Sequence, residues 1–309
     1  MPDAFVFDRP GSTLLEIVGK EAASFLHNLS TNDIKSLVIG QGVEAFFCTH
    51  TARVLGHGYV TCLEAERFWV DADPGQSGTL FKHLDKHFIS EQIELTDRSA
   101  EIAALRLAGA DAASLVPGAA DLKPLQITAI ENDVWLRRFS GWNLPTLDLF
   151  GPASALAGWR RKLLEAGCSL GDESLAETIR IESGLPKFGV DMDAERFVVE
   201  LDRIPQAISY AKGCYLGQEP IVMARDRGQV NRRLLGLEMG AAEPPSSGQK
   251  VTRDGGEIGV VTSSVRSARL GQTIALAYLR RGHWEPGAGV RIGEVSARVA
   301  ALPFVEAGR

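Results

Sequence analysis

Apolar and polar positions along the chain change period several times, and each change marks an element. Leu14 to Val18 reads as a short strand that Gly19 breaks, and Phe25, Leu26 and Leu29 then fall at helical spacing within Lys20 to Leu29. Ser30-Thr31-Asn32-Asp33 closes that helix with turn formers. Val43 to Cys48, Tyr59 to Leu63 and Phe68 to Asp71 read as strands, the last two joined across Glu64-Ala65-Glu66 as a hairpin. Leu80, Phe81, Leu84 and Phe88 make one apolar stripe of a helix. The order then returns in coarse form. Ile102 to Leu107, Leu125 to Ile130, Val134 to Phe139 and Leu147 to Phe150 read as strands, before a helix opened by Pro152 and ended by Gly167. Strands then helix, twice, predict an α+β unit duplicated in type, with no repeat in the sequence itself.

Ser174-Leu175-Ala176-Glu177 is a capping-box pattern, so a helix is predicted to begin near Ser174. Glu182 falls on the same face as its apolar positions Leu175 and Ile179, while Arg180 projects to the other side. Two readings of Glu182 stand. It ends a fraying helix with its head in water, before Gly184 and Pro186, or it is a buried carboxylate that needs a donor. Phe188 to Tyr210 shows no period and reads as a long connection. From Leu234 the character changes to short strands separated by Pro244-Pro245, Asp254-Gly255-Gly256 and Pro286-Gly287, which predicts a small antiparallel barrel. The expected segments are 1–100, 101–231 and a barrel over 232–309.

Composition narrows the function classes. The 309 residues, 45% hydrophobic and 23% charged, are those of an ordinary globular protein. A net charge of −6 argues against a dedicated nucleic-acid surface, and pairs such as Arg137-Arg138, Arg160-Arg161 and Arg280-Arg281 are scattered in the manner of a mixed surface. No apolar run approaches the roughly 20 residues of a membrane span, and no signal peptide is evident, so a reducing cytoplasm is expected. Cys48, Cys62, Cys168 and Cys214 form no CxxC pair, which leaves no zinc site evident and makes a disulfide framework unexpected. His83 and His87 stand i, i+4 on a helix but lack a third ligand, and read as solvated histidines.

The stretch that carries chemistry is Lys212-Gly213-Cys214-Tyr215-Leu216-Gly217-Gln218-Glu219, followed by a helix with Pro220 near its first turn. Read from its residues, Cys214 is either a small apolar residue in a tight turn or a thiol favoured as thiolate by a helix N-terminus and the Lys212 ammonium. Gly213 and Gly217 allow close approach to the main chain. Tyr215 either hydrogen-bonds a ligand or packs beneath the loop. Arg225, Arg227, Arg232 and Arg233 gather just after it, as a solvated face or as an anion site.

This octapeptide, extended through Pro220, Arg225, Arg227, Gly228, Asn231 and Arg232, resembles the signature of the YgfZ family, folate-binding proteins related to the glycine cleavage T-protein (aminomethyltransferase). Phe25 to Val60, with Thr31-Asn32-Asp33 and Ala52-Arg53-Val54-Leu55-Gly56, resembles the N-terminal part of the T-protein, whose strand-connecting loop carries an aspartate acting at the folate's reactive nitrogen. Here Gly56 and His57 occupy that stretch, and no carboxylate lies between Val54 and Thr61. His57 beside its glycines reads as a solvated loop residue or, as the alternative, a base. Arg180-Ile181-Glu182-Ser183-Gly184-Leu185-Pro186 is similar to the T-protein segment whose glutamate binds the pterin ring.

The resemblance implies a three-domain T-protein-like fold, two α+β domains around a central folate pocket plus a C-terminal antiparallel β-barrel. It implies tetrahydrofolate or a one-carbon derivative as cofactor, held by Glu182, Arg225 and Asn32, with Cys214 and Lys212 as the working pair. Gly213, Tyr215, Gly217, Gln218 and Glu219 complete the motif. The YgfZ resemblance implies an accessory role in iron–sulfur cluster assembly or repair, indirectly supporting tRNA modification. Its partners would be iron–sulfur proteins or their assembly machinery, with no direct nucleic acid and no membrane. The alternative is a folate-dependent aminomethyltransferase of the glycine cleavage type.

Overall fold

The computed structural model describes residues 3–228 and 230–306, so the last three residues of the expected barrel segment lie outside it. The chain divides into two compact units. The first holds Met1–Ser140, Leu144–Asp172 and Pro205–Gln218; the second holds Gly141–Asn143, Glu173–Ile204 and Glu219–Arg309.

In the first unit the chain runs through β1 (Phe5–Asp8), β2 (Thr13–Val18), α1 (Ala22–Leu29), β3 (Gly42–Cys48), β4 (Val54–Glu64), β5 (Arg67–Ala72) and α2 (Ser77–His87). It continues with β6 (Glu94–Asp97), β7 (Ala103–Ala108), β8 (Ile127–Ala129), β9 (Trp135–Phe139), β10 (Thr146–Gly151), α3 (Ala153–Glu165) and β11 (Ser169–Leu170). Two sheets result, in orders β3-β4-β5-β2-β6 and β11-β1-β7-β10-β9-β8. Leu15, Phe47, Val60, Phe68 and Val70 of the first sheet pack with Phe25 and Leu26 of α1 and Leu80 and Leu84 of α2. Leu105, Leu107, Leu136, Leu147 and Leu149 of the second pack with Leu156, Trp159 and Leu163 of α3. A third cluster joins the two sheets through Leu14, Trp69, Ile127 and Phe150.

Between these sheets lies a set of buried charges. Arg137 is 1% exposed, and its Nη2 donates to Asp71 Oδ2 at 2.6 Å and to Asp148 Oδ2 at 2.7 Å. Arg106 grips Asp148 with two bonds of 2.7 and 3.0 Å and lies 3.6 Å over the Phe139 ring, a cation–π contact. Arg9 stands 3.5 Å from each carboxylate. Burial would raise the Asp148 carboxyl, but the three guanidinium groups outweigh it and hold the carboxyl far below its usual range. Arg137 is therefore core, contrary to the mixed-surface reading of Arg137-Arg138.

Other expectations shift too. The stripe of α2 ends at Leu84, and Phe88 lies beyond the helix as a partly exposed cap. Gly56 and His57 belong to strand β4, not to a loop. The glycines there answer to packing: a Cβ on Gly56 would stand 2.4 Å from Leu80 Cδ2, and one on Gly58 would stand 2.3 Å from Asp71 O. His83 is buried, its ring pushed down to about 4 by burial with help from His87 and Lys86, so the solvated reading fails for it.

The second unit opens with α4 (Glu173–Glu182), which starts one residue before Ser174, so that serine sits in the first turn and not at the cap. The connection after it contains α5 (Ile204–Ala207), most of which belongs to the first unit, and α6 (Gln218–Arg227) begins at the last two residues of the octapeptide. Six strands, β12 (Arg232–Glu238), β13 (Lys250–Arg253), β14 (Gly256–Ser267), β15 (Gln272–Arg280), β16 (Gly289–Ile292) and β17 (Val295–Ala300), close into a barrel in the order β12-β15-β14-β13-β16-β17. Closure removes the sheet edges, and alternate residues such as Leu235, Leu237, Ala275, Ala277, Val290 and Val299 fill the interior.

Candidate functional site

The octapeptide belongs to the first unit up to Gln218, and its geometry starts at the end of α1. The last carbonyls of a helix have no intrahelical donors. Here Lys212 supplies them: Nζ donates to His27 O at 2.5 Å, Ser30 O at 2.7 Å and Asn32 O at 2.7 Å. A cation at a helix C-terminus also meets the negative end of the dipole. The Tyr215 ring lies 4.6 Å from the same Nζ, and Tyr215 is buried, so its ring packs under the loop. Leu216 N–H donates to Asn28 O at 2.8 Å, and Cys48 Sγ donates to Leu216 O at 3.4 Å. Gly217, with φ +83°, comes so close to the strand β3 turn that a Cβ there would stand 2.7 Å from both Cys48 Sγ and Thr49 O. Gly213 meets no such limit.

Cys214 is exposed at the top of this pinned loop. It stands four residues ahead of α6, outside the first turn where a helix dipole acts, and the donors of Lys212 point at carbonyls. Neither the N-terminus of α6 nor the Lys212 ammonium is therefore directed at the thiol, contrary to the expectation from the sequence. Gln218 opens α6 and Glu219 sits in its first turn, where a carboxylate complements the dipole. Cys48 beneath the loop is inert as a nucleophile, since burial pushes its thiol up to about 12.

Asn32 lies beside the loop with its side chain in use. Its Nδ2 donates to Glu44 O at 2.8 Å and Gln206 O at 2.9 Å, and its Oδ1 accepts from Asp33 N–H at 2.8 Å. In strand β4, His57 Nε2 and Glu44 Oε1 are 2.8 Å apart, with both residues buried. Strand β4 carries no carboxylate between Val54 and Thr61, but β3 delivers one to it. The sequence reading missed this pair because its members are 13 positions apart and meet only through strand register.

In the second unit Glu182 ends α4, 6% exposed, and its Oε1 accepts from Ser267 Oγ at 2.5 Å. The fraying-end reading fails, because the Glu182 backbone carbonyl also accepts from Phe304 and Val305 N–H. Arg180 is not idle on the far side: it bonds Asp191 Oδ2 at 2.7 Å, Ser263 Oγ at 2.9 Å and Glu177, and Asp191 in turn takes Thr262 and Ser263 hydroxyls. This buried hub, centred on Asp191 of the stretch read as a periodless connection, ties α4 to the barrel strand β14. Arg225 lies in α6, half-exposed, with Asp226 Oδ1 at 2.7 Å from its Nε. Arg233 pairs with Asp202.

An α+β unit of two sheets with a closed six-stranded barrel as the chain's end defines a class of protein, and the comparisons bear on which. The GCVT N-terminal domain matches residues 3–135, and the glycine cleavage T-protein C-terminal barrel domain matches residues 232–306. The aminomethyltransferase of Herpetosiphon aurantiacus is 26% identical over 317 residues, covering 98% of this chain and 87% of its own length. The aminomethyltransferase of Rubrobacter xylanophilus is 28% identical over 299 residues, covering 93% and 79%. The crystal structure of glycine cleavage system aminomethyltransferase T from Bartonella henselae shares the fold at a TM-score of 0.90 and 23% identity, over 99% of this chain and 87% of that one. Together the two domain matches and these relatives support the chain's place in the glycine cleavage T-protein family. Among the described residues no helix is long and apolar enough to cross a membrane.

Proposed function

We propose that this protein binds tetrahydrofolate and acts in folate-dependent one-carbon transfer of the aminomethyltransferase type. The observation that carries the reading is the Glu182 carboxylate: the residue is buried, and Ser267 holds one of its two oxygens. A carboxylate accepts two bonds side by side from a flat edge with two adjacent N–H donors. The pterin ring of folate carries such an edge, so the residues present fit the group. Bound tetrahydrofolate would supply the nitrogen that accepts the one-carbon unit. Glu182 would orient the ring through its carboxylate. Glu182→Gln should weaken tetrahydrofolate binding roughly ten- to a hundredfold in calorimetry, the loss of a charge-assisted bond. Unchanged affinity removes Glu182 from the site.

A second reading is favoured by Cys214, a solvent-facing thiol on a tightly pinned loop for which aminomethyl transfer has no use. In this reading the protein is a YgfZ-type, folate-binding accessory factor for cytoplasmic iron–sulfur proteins or their assembly machinery, with an indirect effect on tRNA modification. Formation of methylenetetrahydrofolate from an aminomethylated lipoyl carrier decides for the first reading. Absence of turnover, with loss of iron–sulfur enzyme activity in a deletion strain carrying Cys214→Ala, decides for the second.

A further inference from the structure

Lys212 is 7% exposed, and each hydrogen bond of its ammonium goes to a backbone carbonyl. Three carbonyl oxygens take its three protons, at 2.5, 2.7 and 2.7 Å, and an aromatic face closes the remaining side at 4.6 Å. The three carbonyls close the C-terminal end of α1. Two of the motif's other fixed points lie just beyond, where Leu216 is bonded to Asn28 and Cys48, and Gly217 is wedged against Thr49 and Cys48. Between the cage and the wedge Gly213 and Cys214 are exposed, while Tyr215 is buried. A lysine so enclosed cannot reach a substrate or the thiol without leaving its cage.

We propose that Lys212 is a positioning residue, an internal cation whose carbonyl cage clamps the 212–217 loop to the end of α1 and so fixes where the Cys214 thiol is presented to a partner. The inference rests on reading Cys214 as a working thiol. A cage of three acceptors holds an ammonium and only part of a neutral amine, which has two donors and a lone pair that no group of the cage can meet. Burial pushes the ammonium down to about 7. Asp33 and Cys48 face it and favour the charge, while Lys35 opposes it; His27, with its ring beside Asp33, lies on the same side. The clamp therefore holds at acidic pH and loosens as pH rises through about 7.

Hydrogen exchange and thiol alkylation test this without any folate, so failure of the folate readings leaves the test intact. In Lys212→Met the Leu216 amide should exchange roughly tenfold or more faster than in the native protein, while amides of β15 keep their protection. Iodoacetamide labelling of Cys214 should lose the rise above neutral pH that loop release adds in the native protein. In Lys212→Ala, methylammonium should restore Leu216 protection, and sodium at the same ionic strength should not. Should Lys212→Met fail to fold, the native protein compared at pH 6 and pH 9 gives the same readout once intrinsic exchange is removed. Leu216 exchange within twofold of native in the variants, or unaltered between the two pH values, overturns the proposal.

Discussion

Removing Arg137 should unsettle the first unit far more than its place on a half-polar strand suggests. Its guanidinium joins Asp71 of one sheet to Asp148 of the other, and the carboxylates differ in what remains after Arg137→Met. Asp148 keeps the two-bond grip of Arg106, whereas Asp71 keeps only Arg9 at 3.5 Å. The cost is thus mainly that of one buried carboxylate left nearly alone, about 3–5 kcal/mol. That is a large share of a typical total of roughly 5–15 kcal/mol. Urea unfolding at pH 7, followed by tryptophan fluorescence, should show the loss as a lower midpoint at nearly unchanged slope. Arg137→Met/Asp71→Leu removes both members, and should recover at least about 2 kcal/mol relative to the sum of the single changes. A loss below about 1 kcal/mol for Arg137→Met, or strict additivity in the double variant, would refute the reasoning.

Two further outcomes follow from buried groups. His83, pushed down to about 4, stays neutral in the fold while an unfolded chain takes up a proton below its ordinary value of 6.5. Its contribution is present above pH 6.5 and is lost as pH falls toward 4, by roughly 2 kcal/mol. Urea midpoints measured across that window should flatten in His83→Gln, and an unchanged slope would remove His83 from the effect. Gly217→Ala combines a positive φ with two 2.7 Å collisions, so the loop should detach at a cost of about 1–3 kcal/mol, seen as faster exchange of the Leu216 amide. Protection equal to native would show that the loop yields without strain.

Much of the fold could be read from periodicity because burial on one face leaves a regular trace. Strands β2, β3 and β5, helices α1 and α3 and the barrel strands other than the short β16 carry it. Strand β4 did not show its first half, since Gly56 and Gly58 are there to admit Leu80 and the Asp71 carbonyl, and glycine speaks equally for turns and for close packing. Glu182 could be picked out because a carboxylate on an apolar face needs a partner, but Ser267, 85 positions on, could not be named. Lys212 was legible as a motif residue and misread as an activator of its neighbour. Its partners are backbone oxygens 180 or more positions away, and the main chain has no letter in the sequence. The charges between the sheets were hidden for another reason: alternation makes a buried arginine on a strand look like a surface one until a second sheet covers it.

The tight seat of Gly56 against Leu80 bears on how this chain could be altered. A carboxylate written into strand β4 at that position, to imitate the acid its resemblance to the T-protein leads one to look for, has no room: the first side-chain carbon already overlaps helix α2. Such a graft would have to trim Leu80 as well, opening a gap in the layer that anchors α2. Admitting an acid at this spot is thus a matter of two elements fitted to one another, and changing one letter would not suffice.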